Sequence, residues 1–468
     1  MLSYFRINDP YRIFGLLAIL ILIFLPRFID PAPVTVTELK GVVIGQKMVA
    51  GQNPYTGIID DTAPLTNYAH ALLHLIFGEG LVARQILAFL LIFAQAIFIG
   101  IIYIDKRVYP ENSFIPSLVF GLLFVFAFDT LVISGELLGS IFLLLALNSL
   151  FLEIETREES LEMVLRIGVA IGVASLFAFS FIVFVPATLV ILLLYSRASG
   201  RKFLLLIIGF LLPHLFIFSF YLIYDGGHEI WTYFYLPNPT FRPELLVSVK
   251  TLLTLFSLPL IFFAGALFMV TRESRLTKYQ SQVMQAMFFW TVFSLIQVVY
   301  SKDIRPQTLI LVLPGLSYFI THLFLIIRRR MIAEIAFGVL AIGLLAVCYS
   351  GRYTINDNES YQRYLVSSPS PVQPEKVLTL DNNLGFYLGK TMSTPFLNWT
   401  LSRKIFENPE YYDNVIVVNN GFRGDYPDLI HDPNGLLKPF MDKLPELRMN
   451  YTVTPEGYRK KALSRVSN

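Results

Sequence analysis

Two carboxylates and three guanidiniums in this sequence stand where chemistry at a membrane edge would need them. Glu38 lies in a long polar stretch between the first two apolar runs, together with Asp60 and Asp61, and Glu136 opens a later apolar run in ISGELLGSIFLLL. Arg84, Arg242 and Arg305 are predicted to lie near the same membrane surface. A carboxylate at that edge can act as general base, because partial desolvation raises its pKa toward the working range. An arginine there can hold a phosphate group, in a bidentate fork. Glu38 and Glu136 are therefore the candidate bases, and Arg84, Arg242 and Arg305 the candidate phosphate clamps.

Each has a plainer reading. Glu38 suits the polar face of an interfacial helix, and Glu136 the first turn of a helix, where the dipole favours an acid. Asp60 and Asp61 suit a turn and an N-cap ahead of a helix starting at Pro64. Arg84 and Arg305 suit interfacial residues that snorkel. His70 and His74 have the i, i+4 spacing of a metal pair, but no third ligand accompanies them, so packing roles are expected and no metal site is assigned.

The elements that must position these residues are membrane helices. With 55% hydrophobic and 15% charged residues and a mean hydropathy of +0.60, the chain has too much apolar surface for a soluble globule of 468 residues. Apolar runs from Ile13–Leu25 through Pro306–Ile327, with Met331–Tyr349 broken only by Glu334, approach the length of about 20 residues needed to cross a hydrocarbon core. Lys and Arg in short loops mark the cytoplasmic side: Arg6 and Arg12, Lys106 and Arg107, Arg157 to Arg166, Arg197 to Lys202, Arg272 to Lys278, and Arg328 to Arg330. These loops share one side only if the run Ile167–Tyr195 crosses twice, as two short helices breaking near Ser180 or Pro186. The expectation is an α-helical polytopic membrane protein of about 11 transmembrane helices, N-terminus inside and C-terminus outside.

Within the first external loop, residues 30–80, Leu39, Val42, Val43 and Val49 fall at helical spacing, which describes an interfacial helix over Thr37–Ala50. A second helix is expected over Pro64–Phe77, with GQNPYTG as the turn between them. The membrane domain is assigned to residues 1–349 and a small extracytoplasmic α/β module to 350–468. In that module KVLTLDNN, NVIVVNNG and MNYTVTP read as strands, and SRKIFENPEYY and LLKPFMDKL as helices. A net charge of +3, carried mainly by cytoplasmic loops, argues against nucleic acid as a partner. The single cysteine, Cys348, supplies no disulfide.

Several short motifs fall in an order that resembles the GT-C class of membrane glycosyltransferases, in particular the protein O-mannosyltransferase and aminoarabinose transferase group. They are TELKGVVIGQKMVAGQNPY, then APL, IFG and Arg84, then Glu136 before a later helix, then IRPQTLILVLPGL and a small C-terminal α/β module. The resemblance implies a GT-C-like fold and transfer of a sugar from a polyprenyl-phosphate donor, with no other cofactor, to an envelope acceptor on the extracytoplasmic side of a bacterial inner membrane. Membrane lipid and a lipid-linked sugar are the implied partners. Glu38 and Glu136 are implied as catalytic, and Tyr55, Asp60, Asp61, Arg84, Arg242 and Arg305 as substrate-binding.

The group's catalytic acid is usually the first of a pair, and this chain has Thr37 there with Glu38 second. Neighbouring helical residues point about 100° apart. Either Glu38 takes over that role or the chain is a catalytically degenerate scaffold or lipid-binding component of an envelope complex. A transporter is disfavoured, since the apolar runs lack the ionisable residues that transport pathways place deep in the bilayer.

Overall fold

The computed structural model describes residues 1–156, 161–196, 199–241, 243–273, 276–355, 358–366, 376–423, 425–455 and 457–461. Arg242 and parts of the basic loops at 157–160, 197–198 and 274–275 lie outside the described residues. The chain forms two compact units, each built from separate segments. The first comprises Met1–Pro33, Gly80–Ile217 and Phe241–Tyr364; the second comprises Val34–Glu79, Phe218–Thr240 and Leu365–Asn468. The division expected at 349/350 falls inside the first unit, whose last residue is Tyr364.

Among the described residues, eight helices are long and apolar enough to cross a membrane: Arg12–Ile29, Leu81–Asp105, Gly135–Thr156, Gly200–Ile223, Val249–Arg272, Lys278–Tyr300, Pro306–Ile326 and Arg330–Arg352. Two shorter apolar helices, Ile115–Phe126 and Phe179–Tyr195, and the helix Leu161–Ser175 stand at the remaining apolar runs, and the protein is a multi-pass membrane protein. The run Ile167–Tyr195 does break into two helices. The break comes earlier than expected, at 176–178, where Ala178 is extended, and Pro186 is accommodated in the first turn of the following helix Phe184–Tyr195.

Small residues set the helix packing of the first unit. Gly168 and Gly172 lie one turn apart, and a Cβ at Gly168 would stand 2.4 Å from Leu206 O. The facing Gly209 is equally close to Leu165 O, at 2.6 Å, so the two backbones approach as in small-residue membrane crossings. A buried ion pair pins the helices Gly135–Thr156 and Gly200–Ile223: Lys202 Nζ lies 2.6 Å from Glu153 Oε1, and Ser196 Oγ donates to the same oxygen. Two short parallel strands, β1 (Glu244–Leu245) and β2 (Asp303–Ile304), tie two loops of this unit together.

The second unit holds a five-stranded sheet of β3 (Lys376–Thr379), β4 (Thr391–Met392), β5 (Leu429–His431), β6 (Tyr451–Thr454) and β7 (Gly457–Lys460), in spatial order β4-β3-β5-β7-β6. β4, β3 and β5 run parallel, and β7 and β6 close the sheet antiparallel. Strand alternation divides the core between two faces. Val377 and Met392 pack with Tyr387 and with Leu39, Val43 and Ile44, so the apolar stripe of the first-loop helix Val36–Val49 is buried on the sheet. Leu378 and Ile430 pack on the opposite face with Phe406, Val418, Phe422 and Phe440.

One expectation fails here. NVIVVNNG is not a strand but part of the helix Tyr412–Arg423. Its β-branched run suggests a strand, yet Val415, Val418 and Phe422 recur at helical spacing and are the residues buried in the core, so tertiary burial overrides local propensity. By contrast the helix Pro64–Phe77 forms as expected and exposes Tyr68, Leu72, Leu75 and Ile76 along one side, the pattern of an interfacial helix.

Candidate functional site

In the first unit, Glu136 is the second residue of the helix Gly135–Thr156, and Arg305 caps the 3-10 segment Pro306–Val312. Arg305 Nη2 lies 2.9 Å from both carboxylate oxygens of Glu136, while Nη1 stands 3.6 Å from Asp303 Oδ2. Glu136 and Arg305 are only 6% and 8% exposed, so neither is a snorkelling or solvated surface residue. Burial works against the Arg305 charge, and the adjacent Glu136 and Asp303 carboxylates outweigh it, raising its pKa above the ordinary arginine value. Arg84, in the first turn of Leu81–Asp105, is likewise buried rather than snorkelling.

A network that the sequence reading missed adjoins this pair. Asp129, in the 3-10 segment Phe128–Leu131, accepts a 2.5 Å hydrogen bond at Oδ2 from Tyr364 Oη. Gln307 Nε2 donates to Asp129 O at 2.8 Å, and Arg27 donates to Thr130 Oγ1 and to Val125 O, both at 3.1 Å. Burial pushes the Asp129 carboxyl up to about 6, against the Tyr364 hydrogen bond and the charges of Arg305 and Arg27. Asp129 Oδ1, Gln307 Oε1 and Arg305 Nε are buried without a protein hydrogen-bond partner. Buried polar groups are normally paired, so these atoms can receive the polar groups of a ligand. The signal in the sequence was an acid set directly between two apolar runs, in FDTLVIS.

The second unit gathers Asp60, Asp61 and Tyr55 at one turn. Lys40 Nζ lies 2.7 Å from Asp60 Oδ1 and 3.4 Å from Asp61 Oδ1. Asn398 Nδ2 donates to Asp61 Oδ1 at 2.8 Å, and Asn238 Nδ2 to Asp61 O at 3.1 Å. Asp60 Oδ2 accepts from Thr62 N at 2.9 Å, which is the expected turn role, while the N-cap of Pro64–Phe77 is Ala63 and not an aspartate. Tyr55 is 1% exposed, donates to Thr62 O at 2.7 Å, and is held at φ +69°, a left-handed conformation that costs a side-chain-bearing residue energy and must be imposed by its surroundings.

Glu38 is the third residue of the helix Val36–Val49, and its amide donates to the capping Thr35 Oγ1 at 3.2 Å. Its side chain is buried, contrary to a solvated polar face. A Cβ on Gly41 would meet the His70 ring at 2.4 Å, so the missing side chain at Gly41 lets the helix Pro64–Phe77 approach. Lys47, on the same helix as Lys40, is buried with Nζ 2.5 Å from Thr394 O, and burial lowers its pKa to about 8. The structure thus brings Glu136 to Arg305 in one unit and Asp60, Asp61 and Tyr55 together in the other. Lys40, Asn238 and Asn398 were not anticipated. No group of three His, Cys, Asp or Glu residues suited to a metal ion occurs among the described residues.

No protein-family model matches the chain, and no curated protein matches it in sequence. Several solved structures resemble it, among them the following three. ArnT from Cupriavidus metallidurans in the apo state superposes with a TM-score of 0.53 at 13% identity, over 85% of this chain and 88% of that one. ArnT from the same organism bound to undecaprenyl phosphate gives 0.49 at 13% identity, over 81% and 85%. The Archaeoglobus fulgidus oligosaccharyltransferase in its apo form gives 0.48 at 11% identity, over 81% of this chain and 64% of that one. The chain has a GT-C-like fold, carried by the likeness to apo ArnT.

Proposed function

We propose that this GT-C-like chain is an integral-membrane glycosyltransferase that moves a sugar from a polyprenyl-phosphate donor to an envelope acceptor on the extracytoplasmic side of a bacterial inner membrane. The observation that supports this reading is the fold shared with apo ArnT over 85% of the chain. A sugar on a polyprenyl phosphate already carries its leaving group. The protein must deprotonate an acceptor hydroxyl and hold the departing phosphate.

In this reading Glu136 or Glu38 is the base, and Arg305 and Arg84 are the phosphate clamps. A phosphate approaching Arg305 competes with Glu136 for its guanidinium, so donor binding itself would release the Glu136 carboxylate to accept a proton. Asp60, Asp61 and Tyr55 serve as substrate contacts, and Arg242 is assigned the same role from the motif order alone. Membrane lipid and the lipid-linked sugar are the partners, and no cofactor beyond the donor is invoked.

Thr37 at the usual catalytic position, together with the ammonium of Lys40 between Asp60 and Asp61, favours a second reading in which the chain is a non-catalytic scaffold or lipid-binding component. The test is transfer by the purified protein in nanodiscs supplied with radiolabelled polyprenyl-phosphate sugars and extracted envelope glycans. Label appearing on the acceptor fraction, and lost in Glu136→Gln, supports the enzyme. No transfer from any donor, with polyprenyl phosphate still bound, establishes the scaffold.

A further inference from the structure

The second unit has a strand arrangement, with polar side chains at its carboxyl end, that the proposed transfer chemistry does not use. β3 and β5 are adjacent and parallel, with Val377 opposite Leu429, Leu378 opposite Ile430 and Thr379 opposite His431. Their outgoing connections leave on opposite faces of the sheet. After β3 the chain enters the 3-10 segment Leu384–Tyr387, whose Tyr387 packs with Val377 and Met392. After β5 it enters the helix Lys438–Lys443, whose Phe440 and Met441 pack with Leu378 and Ile430. Adjacent parallel strands whose connections diverge leave a crevice beyond their carboxyl ends, which is where open α/β sheets take ligands.

A fixed pair of side chains spans those ends. His431 is the last residue of β5, and its Nε2 lies 3.4 Å from Oδ2 of Asp381, two residues past β3. Asp381 Oδ1 accepts from Thr379 Oγ1 at 2.5 Å and from Asn383 N at 2.9 Å, and Phe386 stacks on the imidazole with ring centroids 4.2 Å apart. The pair is held from three directions, yet its side chains remain 21% and 25% exposed. Asn382, Asn383 and Asn434 are exposed on the same two loops.

Composition decides the ligand class. Residues 380–386 and 431–437, next to the pair, contain no Lys or Arg and carry Asp381 and Asp432, with Lys390 and Lys438 lying beyond them, a local balance that favours an uncharged ligand over phosphate. Carboxylate, imidazole and carboxamide groups supply the mixed acceptors and donors that vicinal hydroxyls require. We infer that the crevice at the carboxyl ends of β3 and β5 binds an uncharged saccharide, with Asp381, His431 and the loop asparagines hydrogen-bonding its hydroxyls. That this saccharide is the glycan acceptor rests on the transferase reading; the site itself does not.

Saturation-transfer NMR on the full-length protein in nanodiscs tests this, with neutral oligosaccharides of glucose, mannose and N-acetylglucosamine as probes and inorganic phosphate as competitor. At least one oligosaccharide should bind saturably and resist displacement by phosphate. His431→Phe, which keeps a ring against Phe386, and Asp381→Asn should each weaken binding by about ten-fold or more, the effect of losing a hydrogen bond to a polar ligand. Absence of saturable binding across the panel, displacement by phosphate, or binding indifferent to both variants overturns the site. Transfer assayed on the same samples separates the two claims: saccharide binding without transfer defeats the enzyme reading alone, and transfer with unchanged acceptor KM in His431→Phe defeats only the acceptor assignment.

Discussion

Replacing Glu136 by glutamine strips one charge from a pair that meets twice at 2.9 Å with both partners under one-tenth exposed. Removing one member of a buried pair costs about 3–5 kcal/mol, because the survivor is left charged and desolvated. Here Asp303 remains 3.6 Å from Arg305 Nη1 and glutamine keeps one acceptor oxygen, so the loss belongs at the lower end, about 3 kcal/mol. Adding Arg305→Met removes the stranded cation, and the double variant should recover about 2 kcal/mol relative to the sum of the single variants. Thermal and denaturant unfolding in detergent, followed by tryptophan fluorescence, gives these numbers. Transfer behaves differently: each single variant should lower it by about 10² or more, and the double should not restore it, since base and clamp are then both absent. A Glu136→Gln protein with wild-type stability and wild-type transfer would show that the pair serves neither fold nor chemistry.

Asp129 predicts a pH dependence. Its carboxyl rises from 3.8 to about 6 on folding, so the stability it contributes is present below 3.8 and is lost as pH rises through about 6, amounting to roughly 3 kcal/mol. The wild-type stability minus that of Asp129→Asn should therefore decline between about pH 4 and pH 7, and a flat difference refutes the assignment. Lys40→Met leaves Asp60 and Asp61 without their ammonium and should cost about 3 kcal/mol, with Lys40→Arg retaining most of it; equal unfolding midpoints for Lys40→Met and wild type would mean other groups balance the pair. Reporter fusions after Lys202 and Arg330 should be cytoplasmic and fusions after Ser350 extracytoplasmic, and a cytoplasmic C-terminus would exclude two crossings by Ile167–Tyr195.

Much of the membrane architecture was legible in the sequence. The two first-loop helices appear close to their expected limits, at Val36–Val49 and Pro64–Phe77, and KVLTLDNN and MNYTVTP do contain strands. The apolar stripe of Val36–Val49 was visible but its partner was not: it faces β3 and β4, whose residues lie more than three hundred positions later. NVIVVNNG failed for the same reason. Alternating and helical burial are equally compatible with a short β-branched run, and only the core against which Val415, Val418 and Phe422 pack distinguishes them.

Of the candidate residues, the sequence alone determined that Glu136 and Arg305 border apolar segments and that Asp60 and Asp61 lie in the polar stretch between two of them, because hydropathy is a sum over neighbouring residues and needs no fold. Which charges meet was decided by the tertiary structure. Arg305 reaches Glu136 across 169 positions and Tyr364 reaches Asp129 across 235, while Lys40 takes both aspartates of a turn some twenty residues away. Such pairings arise because a desolvated charge must find its opposite wherever chain packing presents it, and no local pattern of residues records where that will be.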